Sequence, residues 1–282
     1  MDYFTLNNDT TIPAVGFGVF MIPNDGPTYN ATLAALKAGY RHIDTAAGYM
    51  NESDVGKAIK DSGIPRDEIF ITSKLWLQDY GYENAKKGIE NSLALLGVNY
   101  IDLYLLHQPY GDYLGAWKAL EEAVEAGKIK SIGISNITVN LWNKFKDGMT
   151  LMPVVNQVEF NPFTQQKELR EVMNEHHIRL EAWYPLGHGN KNLLENETII
   201  SLANKYNKNA GQIILRWIYQ EGVISLPKST NPVRMKGNID IFDFELSEEE
   251  MTAIQALDTG KGTHNPEDPA NETRLMGLKI HD

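Results

Sequence analysis

The chain has 282 residues, with 26 Lys and Arg against 37 Asp and Glu, so its formal charge is −11. A chain of this length buries about three-quarters of its unfolded surface, and 42% hydrophobic with 22% charged residues excludes a disordered polymer. The acidic balance weighs against general binding to nucleic acid or anionic membrane, which needs a basic footprint, and the lack of Cys excludes disulfides, thiolate zinc and a Cys nucleophile.

The first thirteen residues, MDYFTLNNDTTIP, carry no basic start followed by an apolar core, so they do not read as a signal peptide. Residues 3–13 instead predict a hairpin turning at Asn7-Asn8-Asp9. No apolar run reaches the length of a membrane span. A soluble, cytoplasmic protein is therefore expected.

Eight β-rich runs follow: Val15–Gly18, Arg41–Thr45, Ile69–Lys74, Ile101–His107, Ile132–Ser135, Val154–Glu159, Ile178–Trp183 and Val223–Pro227. Helical segments lie between them. Thr28–Ala38 is rich in Ala and Leu and stops at Gly39, a helix C-terminal signal. Tyr82–Leu96 places Ile89, Leu93 and Leu96 at helical spacing and stops at Gly97. Leu114–Ala126 stops at Gly127, and Leu169–His176 and Gln212–Gln220 have the same character. The tail from Gly260 to Asp282, rich in Gly, Pro and Asn, reads as a long loop packed on the surface and placed to lie over a site.

Alternating strand and helix implies a parallel sheet with right-handed crossovers. Eight units over about 250 residues match a closed (β/α)8 barrel, the TIM-barrel architecture, with the hairpin as a plug for its bottom. The rival is a doubly wound open sheet. Its usual Gly-x-Gly-x-x-Gly opening is missing, since Gly16-Phe-Gly18 is only half of it. With no linker, repeat or low-complexity tract, residues 1–282 read as a single domain.

A parallel barrel places its active site at the C-terminal strand ends. Those ends carry Asp44 with Tyr49 beyond it, Lys74, His107, Ser135-Asn136, Gln157 and Glu159, Trp183-Tyr184 and Pro227-Lys228-Ser229. Taken singly, the Lys reads as an ion-paired charge, the His as structural and the Tyr as packing. As a set they make a proton donor. A Tyr hydroxyl near pKa ~10 is a poor acid or base at pH 7, and a nearby Lys ammonium is expected to lower it. An Asp would hold the Lys charged, and a His would orient a carbonyl oxygen.

Lys228, Arg234 and Lys236 form a basic cluster in an acidic chain. Arg and Lys supply the charge-assisted donors a phosphate needs, Ser229 adds a hydroxyl, and Thr230 and Asn231 are candidate caps for the next helix. The alternative is a solvated basic helix face. His176-His177 point some 100° apart on a helix with no carboxylate motif around them, so no metal is assigned.

Six segments together resemble the aldo-keto reductases. They are Tyr40-Arg-His-Ile-Asp44-Thr-Ala-Ala-Gly-Tyr49-Met-Asn51-Glu52, Ile71-Thr-Ser-Lys74-Leu-Trp76, Leu105-Leu-His107-Gln-Pro109, Ser131-Ile-Gly-Ile-Ser135-Asn136, Val155-Asn-Gln157-Val-Glu159-Phe-Asn161-Pro162 and Leu226-Pro-Lys228-Ser229. They stand in the family's order and span essentially the whole chain. The stretch Glu181-Ala-Trp183-Tyr-Pro185-Leu186-Gly187 is similar to that of bacterial diketogluconate reductases and related small-carbonyl reductases.

The resemblance implies an NADPH/NADP+ enzyme acting as a monomer on a small carbonyl compound. Asp44, Tyr49, Lys74 and His107 would be the catalytic tetrad, with Tyr49 giving the proton. Ser135, Asn136 and Gln157 would hold the nicotinamide carboxamide, and Trp183 would stack on the ring. Backbone near Gly18, Val19, Leu186 and Gly187 would follow the ribose and diphosphate. Lys228, Ser229 and Arg234 would take the 2′-phosphate, and Asn238 the adenine. Phe20 and Trp76 would wall the substrate pocket. Gln108 stands where many relatives carry Trp, Asn231 replaces a common Thr and Gly237 a common Glu. The Gln implies a more polar pocket, suited to short oxygenated aldehydes or α-dicarbonyls. Two other readings stay open: a cofactor-sensing binding subunit on the same barrel, and an aldolase forming a Schiff base on Lys74.

Overall fold

The computed structural model describes residues 1–281. Strands β1 (Tyr3–Thr5) and β2 (Thr11–Pro13) form the antiparallel hairpin, with Tyr3 opposite Pro13 and Thr5 opposite Thr11. Asp9 takes a left-handed conformation in the turn, φ 64°, which Asp tolerates better than most residues.

Eight parallel strands follow: β3 (Phe17–Gly18), β4 (His42–Asp44), β5 (Phe70–Leu75), β6 (Ile101–Leu106), β7 (Ile129–Ser135), β8 (Val155–Glu159), β9 (Arg179–Trp183) and β10 (Ile224–Ser225). Each pairs with its neighbours in sequence from β3 to β10. Val15 bridges Ser225 in parallel, the Gly16 amide donates to the Ser225 carbonyl at 2.8 Å, and the Ser225 amide donates to Ala14 at 3.0 Å. First and last strands therefore meet. The sheet is a closed barrel, and the open-sheet alternative is excluded.

The helices are α1 (Pro27–Ala38), α2 (Glu52–Asp61), α3 (Tyr82–Leu96), α4 (Tyr113–Glu125), α5 (Val139–Phe145), α6 (Lys167–Glu175), α7 (Lys191–Leu194), α8 (Glu197–Tyr206), α9 (Ala210–Gln220), α10 (Pro232–Ile239), α11 (Glu248–Gln255) and α12 (Pro269–Met276). Gly39 and Gly97 end α1 and α3 in the left-handed conformation, where a side chain would be strained. Asn209–Gln212 and Ser247–Glu250 form reciprocal capping boxes at α9 and α11, which satisfy amides the helix leaves unpaired.

Side chains alternate along a strand, so one set fills the barrel and the other packs outward. Leu103, Leu105, Val155 and Ile224 close the floor against Leu6 and Ile12 of the hairpin segment. The hairpin thus plugs the bottom, as expected. Gly133 makes room, because a Cβ there would meet Leu105 Cδ2 at 2.5 Å. Polar side chains also lie buried along these strands: His42, Thr72, Lys74, Gln157 and Glu181. Outside the strands, Trp117, Trp142 and Trp217 are fully buried in the second core. Among the described residues no helix is long and apolar enough to cross a membrane.

The tail departs from the expected loop. Residues 269–276 form α12, with the Asp268 side chain accepting from the Ala270 amide and Pro269 opening the helix. An acidic cap followed by Pro is a helix-start signal hidden in a Pro- and Asn-rich stretch. The tail does cross the C-terminal strand ends. Thr263 donates its amide and hydroxyl to Glu159 Oε2 at 2.6 and 2.8 Å. The Tyr110 hydroxyl donates to the Pro266 carbonyl and the Trp76 indole to the Leu278 carbonyl, both at 2.9 Å.

Candidate active site

Strand β4 ends at Asp44 and β5 carries Lys74 one residue from its end. Lys74 Nζ donates to both Asp44 carboxylate oxygens, at 2.7 and 2.9 Å, and to the Thr45 carbonyl at 2.8 Å. It also donates to the Tyr49 hydroxyl at 3.2 Å. Tyr49 closes a short 3-10 turn, Ala47–Tyr49. Behind that turn Asn51 is fully buried, accepting from the Thr45 hydroxyl at 2.8 Å and donating to the Val19 and Ile22 carbonyls at 3.2 Å. Gly48 lets the turn lie on Trp76, since a Cβ there would meet the indole at 2.8 Å.

The His107 ring stands edge-on to Tyr49, with centroids 5.5 Å apart, and to Trp76 at 5.1 Å. Phe20 approaches Tyr49 to 4.9 Å and is 43% exposed, so it reaches solvent at the rim. Trp76 is buried. Gln108 is buried too, and its Oε1 has no hydrogen-bond partner among the described residues. The Tyr80 hydroxyl locks the backbone at 108, accepting from its amide at 3.1 Å and donating to its carbonyl at 2.8 Å.

Burial governs the protonation states here. Burial alone would lower the Lys74 ammonium, but Asp44 and Tyr49 around it hold it above its ordinary value, so it stays charged. Burial pushes the Tyr49 hydroxyl up to about 12, with Lys74 pulling the other way. The expectation that Lys74 would lower the phenol is therefore corrected: its pull is present and burial outweighs it. Burial, then the Lys74 charge, holds His107 well below the usual imidazole range, so its ring is neutral.

Ser135 ends β7 and donates its hydroxyl to the Gln157 carbonyl at 2.9 Å. Asn136 is left-handed, φ 58°, and its side chain donates to the His107 carbonyl at 3.4 Å and accepts from the Trp183 indole at 3.0 Å. Gln157 Nε2 donates to Asp44 Oδ2 at 2.9 Å and to Glu181 Oε2 at 2.7 Å. Trp183 is half-buried at the end of β9. Gly18 ends β3, and the Val19 amide just after it donates to the Asp44 carbonyl at 3.0 Å. Leu186 and Gly187 lie in the turn after β9, with Gly187 left-handed at φ 58°.

Lys228 is exposed and Ser229 buried just after β10, and Arg234 is exposed in the first turn of α10. Asn231 caps α10, accepting from the Val233 and Arg234 amides at 2.9 and 3.2 Å. Asn238 is buried beside the Tyr40 hydroxyl. All these residues lie at or beyond the C-terminal ends of parallel strands, on one face of the barrel.

Four participants lacked a role in the sequence reading. Thr45 acts through its carbonyl, which leaves no trace in residue type. Glu181 sits in β9 two residues before Trp183, and a Glu inside an otherwise apolar strand was the available signal. Tyr184 is left-handed at φ 51° and faces Phe20 at 6.4 Å. His264 of the tail lies 6.5 Å from Trp183, and its Nε2 is buried without a hydrogen-bond partner among the described residues.

A closed parallel barrel whose mouth joins a buried Lys–Asp pair to a Tyr hydroxyl and a neutral His defines an oxidoreductase class. The chain belongs to the aldo/keto reductase family, which it matches over residues 15–259. It is 47% identical to the glyoxal reductase of Bacillus subtilis over 91% of this chain and 92% of that one. It is similar in structure to an aldo-keto reductase from a deep-sea metagenome library, with TM-score 0.90, 43% identity and coverage of 93% and 97%. A variant of Gox0644 solved in complex with NADPH gives TM-score 0.88 and 38% identity, covering 94% and 97%.

Proposed function

We propose that this protein is a single-domain NADPH-dependent reductase of small aldehydes and α-dicarbonyls. The observation that carries the reading is the Lys74 ammonium, fixed by Asp44 and placed 3.2 Å from the Tyr49 hydroxyl. A relative named glyoxal reductase and a neighbour solved with NADPH support it.

The residues present fit a nicotinamide dinucleotide. Gln157 is a buried residue whose Oε1 accepts no hydrogen bond among the described residues, and the half-buried Trp183 offers a flat apolar face. Lys228 and Arg234 are exposed cations on the segment that carries the buried Ser229. Ser135, Asn136 and Gln157 would hold the carboxamide. Gly18, Val19, Leu186 and Gly187 would flank the ribose and diphosphate. Lys228, Ser229 and Arg234 would bind the 2′-phosphate, and Asn238 the adenine. When bound, the reduced cofactor supplies the hydride.

The chain's own residues supply the rest. Neutral His107 donates a hydrogen bond to the carbonyl oxygen and orients it. Tyr49 gives that oxygen a proton as negative charge develops there, and Lys74 stabilises the phenolate left behind. Asp44 keeps Lys74 charged and in place. Phe20 and Trp76 provide an apolar wall and Gln108 a polar one, which suits a short substrate bearing a second oxygen. The test is NADPH oxidation, followed by absorbance, across glyoxal, methylglyoxal, hydroxyaldehydes and aromatic aldehydes. Turnover of the dicarbonyls is expected, and no turnover of any carbonyl overturns the reading.

A further inference from the structure

Gln157 holds a constrained amide. Its two N–H bonds point to two carboxyl groups on different strands, Asp44 of β4 at 2.9 Å and Glu181 of β9 at 2.7 Å. Gln157 and Glu181 are paired residues of adjacent strands, and both are buried. The other Glu181 oxygen, Oε1, lies 3.8 Å from His42 Nε2 and has no hydrogen-bond partner among the described residues. An amide with both hydrogens committed to carboxyls cannot turn over without aiming its carbonyl at them. Asp44 alone would satisfy one hydrogen, so Glu181 is the group that commits the second.

We infer that Glu181 is a positioning residue for the cofactor: it clamps the Gln157 amide so that only Oε1, an acceptor, faces the nicotinamide carboxamide. The inference rests on the reductase reading above and gives it a handle. The site then selects a carboxamide that presents an N–H, and Glu181 enforces that selection without touching the cofactor. The electrostatics agree. Burial, then the Asp44 charge, raises the Glu181 carboxyl to about 8, so near neutral pH it is the neutral member of the pair. A neutral carboxyl still accepts the Gln157 hydrogen and adds no charge beside the Asp44–Lys74 pair.

The test compares Kd values for NADPH and for its reduced 3-acetylpyridine analogue, in which a methyl replaces the carboxamide nitrogen, by quenching of protein fluorescence. One hydrogen bond to the Gln157 carbonyl contributes on the order of tenfold. The wild type and Glu181→Gln, which keeps an acceptor, are expected to prefer NADPH by about that factor. Glu181→Met, which frees one amide hydrogen, is expected to lose most of the preference while still binding both. Equal preference in wild type and Glu181→Met overturns the inference and leaves the reductase reading intact. Equal binding of both cofactors by wild type does the same. Failure of wild type to bind either overturns both. Hydrogen exchange of the Gln157 side-chain amide in glutamine-labelled wild type needs no variant. Slow exchange of both hydrogens supports the clamp even if Glu181→Met does not fold, and exchange at the rate of a free side chain overturns it.

Discussion

Lys74 Nζ lies 3.2 Å from the Tyr49 hydroxyl, yet that hydroxyl is held up near 12. The two facts are compatible because burial, the larger effect, opposes the ammonium. The Tyr49 hydroxyl therefore stays protonated around neutral pH, as the proposed donor must. Reduction needs the phenol and oxidation the phenolate. The rate of carbonyl reduction should be independent of Tyr49 ionisation between pH 6 and 9. The rate of alcohol oxidation should rise about tenfold per pH unit, because the phenolate fraction does so below its pKa. Parallel pH profiles for the two directions, measured at saturating cofactor, would refute this assignment.

Tyr49→Phe separates a reductase from a binding subunit. A proton donor acts in the transition state and contributes little to cofactor affinity. The variant should keep NADPH Kd within a few-fold and lose roughly 10²–10⁴ in kcat. Lys74→Met should do comparable damage, since the phenolate left by proton transfer loses its counter-charge, and the double variant should be little worse than either single one. Single-turnover stopped-flow measurements read this directly, and near-wild-type turnover in Tyr49→Phe would sink the mechanism.

Arg234 is exposed in the first turn of α10, and its side chain makes no hydrogen bond among the described residues. Its loss should leave the fold untouched. Arg234→Ala should weaken NADPH by about ten- to a hundredfold, the range for hydrogen bonds to charged groups, and NADH by less than threefold. Isothermal titration with both cofactors checks it, and equal losses would remove Arg234 from the 2′-phosphate.

Gln108 Oε1 is a buried acceptor without a partner among the described residues, a cost a hydroxylated or hydrated substrate would relieve. Gln108→Trp exchanges that acceptor for apolar area. The kcat/KM ratio of aromatic over hydroxylated small aldehydes should rise by about tenfold or more. An unchanged ratio would place residue 108 outside the substrate pocket.

The barrel was legible because strand ends repeat a simple code: an aliphatic run, then one polar residue at the mouth. Asp44, Lys74 and His107 are such residues, and knowing which end of a strand bears chemistry was enough to gather them. What stayed hidden depends on contacts between strands. The phenol's direction of shift follows from the walls that Phe20, Trp76 and His107 build around Tyr49. The function of Glu181 depends on its register with Gln157, which strand patterning does not reveal. Helix α11 buries one residue, Ile254, so it carries almost no apolar stripe to read from sequence. Strands β3 and β10 were read longer than they are, because the seam where the barrel closes is held partly by a single bridge and loop hydrogen bonds.

The tail beyond Gly260 is fastened to the mouth at Glu159, Tyr110 and Trp76, each on a different strand or strand-following loop, and it makes no hydrogen bond to Asp44, Tyr49 or Lys74 among the described residues. The part of the mouth that the tail builds is thereby written in a separate stretch of the gene from Asp44, Tyr49 and Lys74. Insertions, deletions or wholesale exchange of the last twenty or so codons can reshape the doorway while the buried Lys–Asp–Tyr cluster keeps its address.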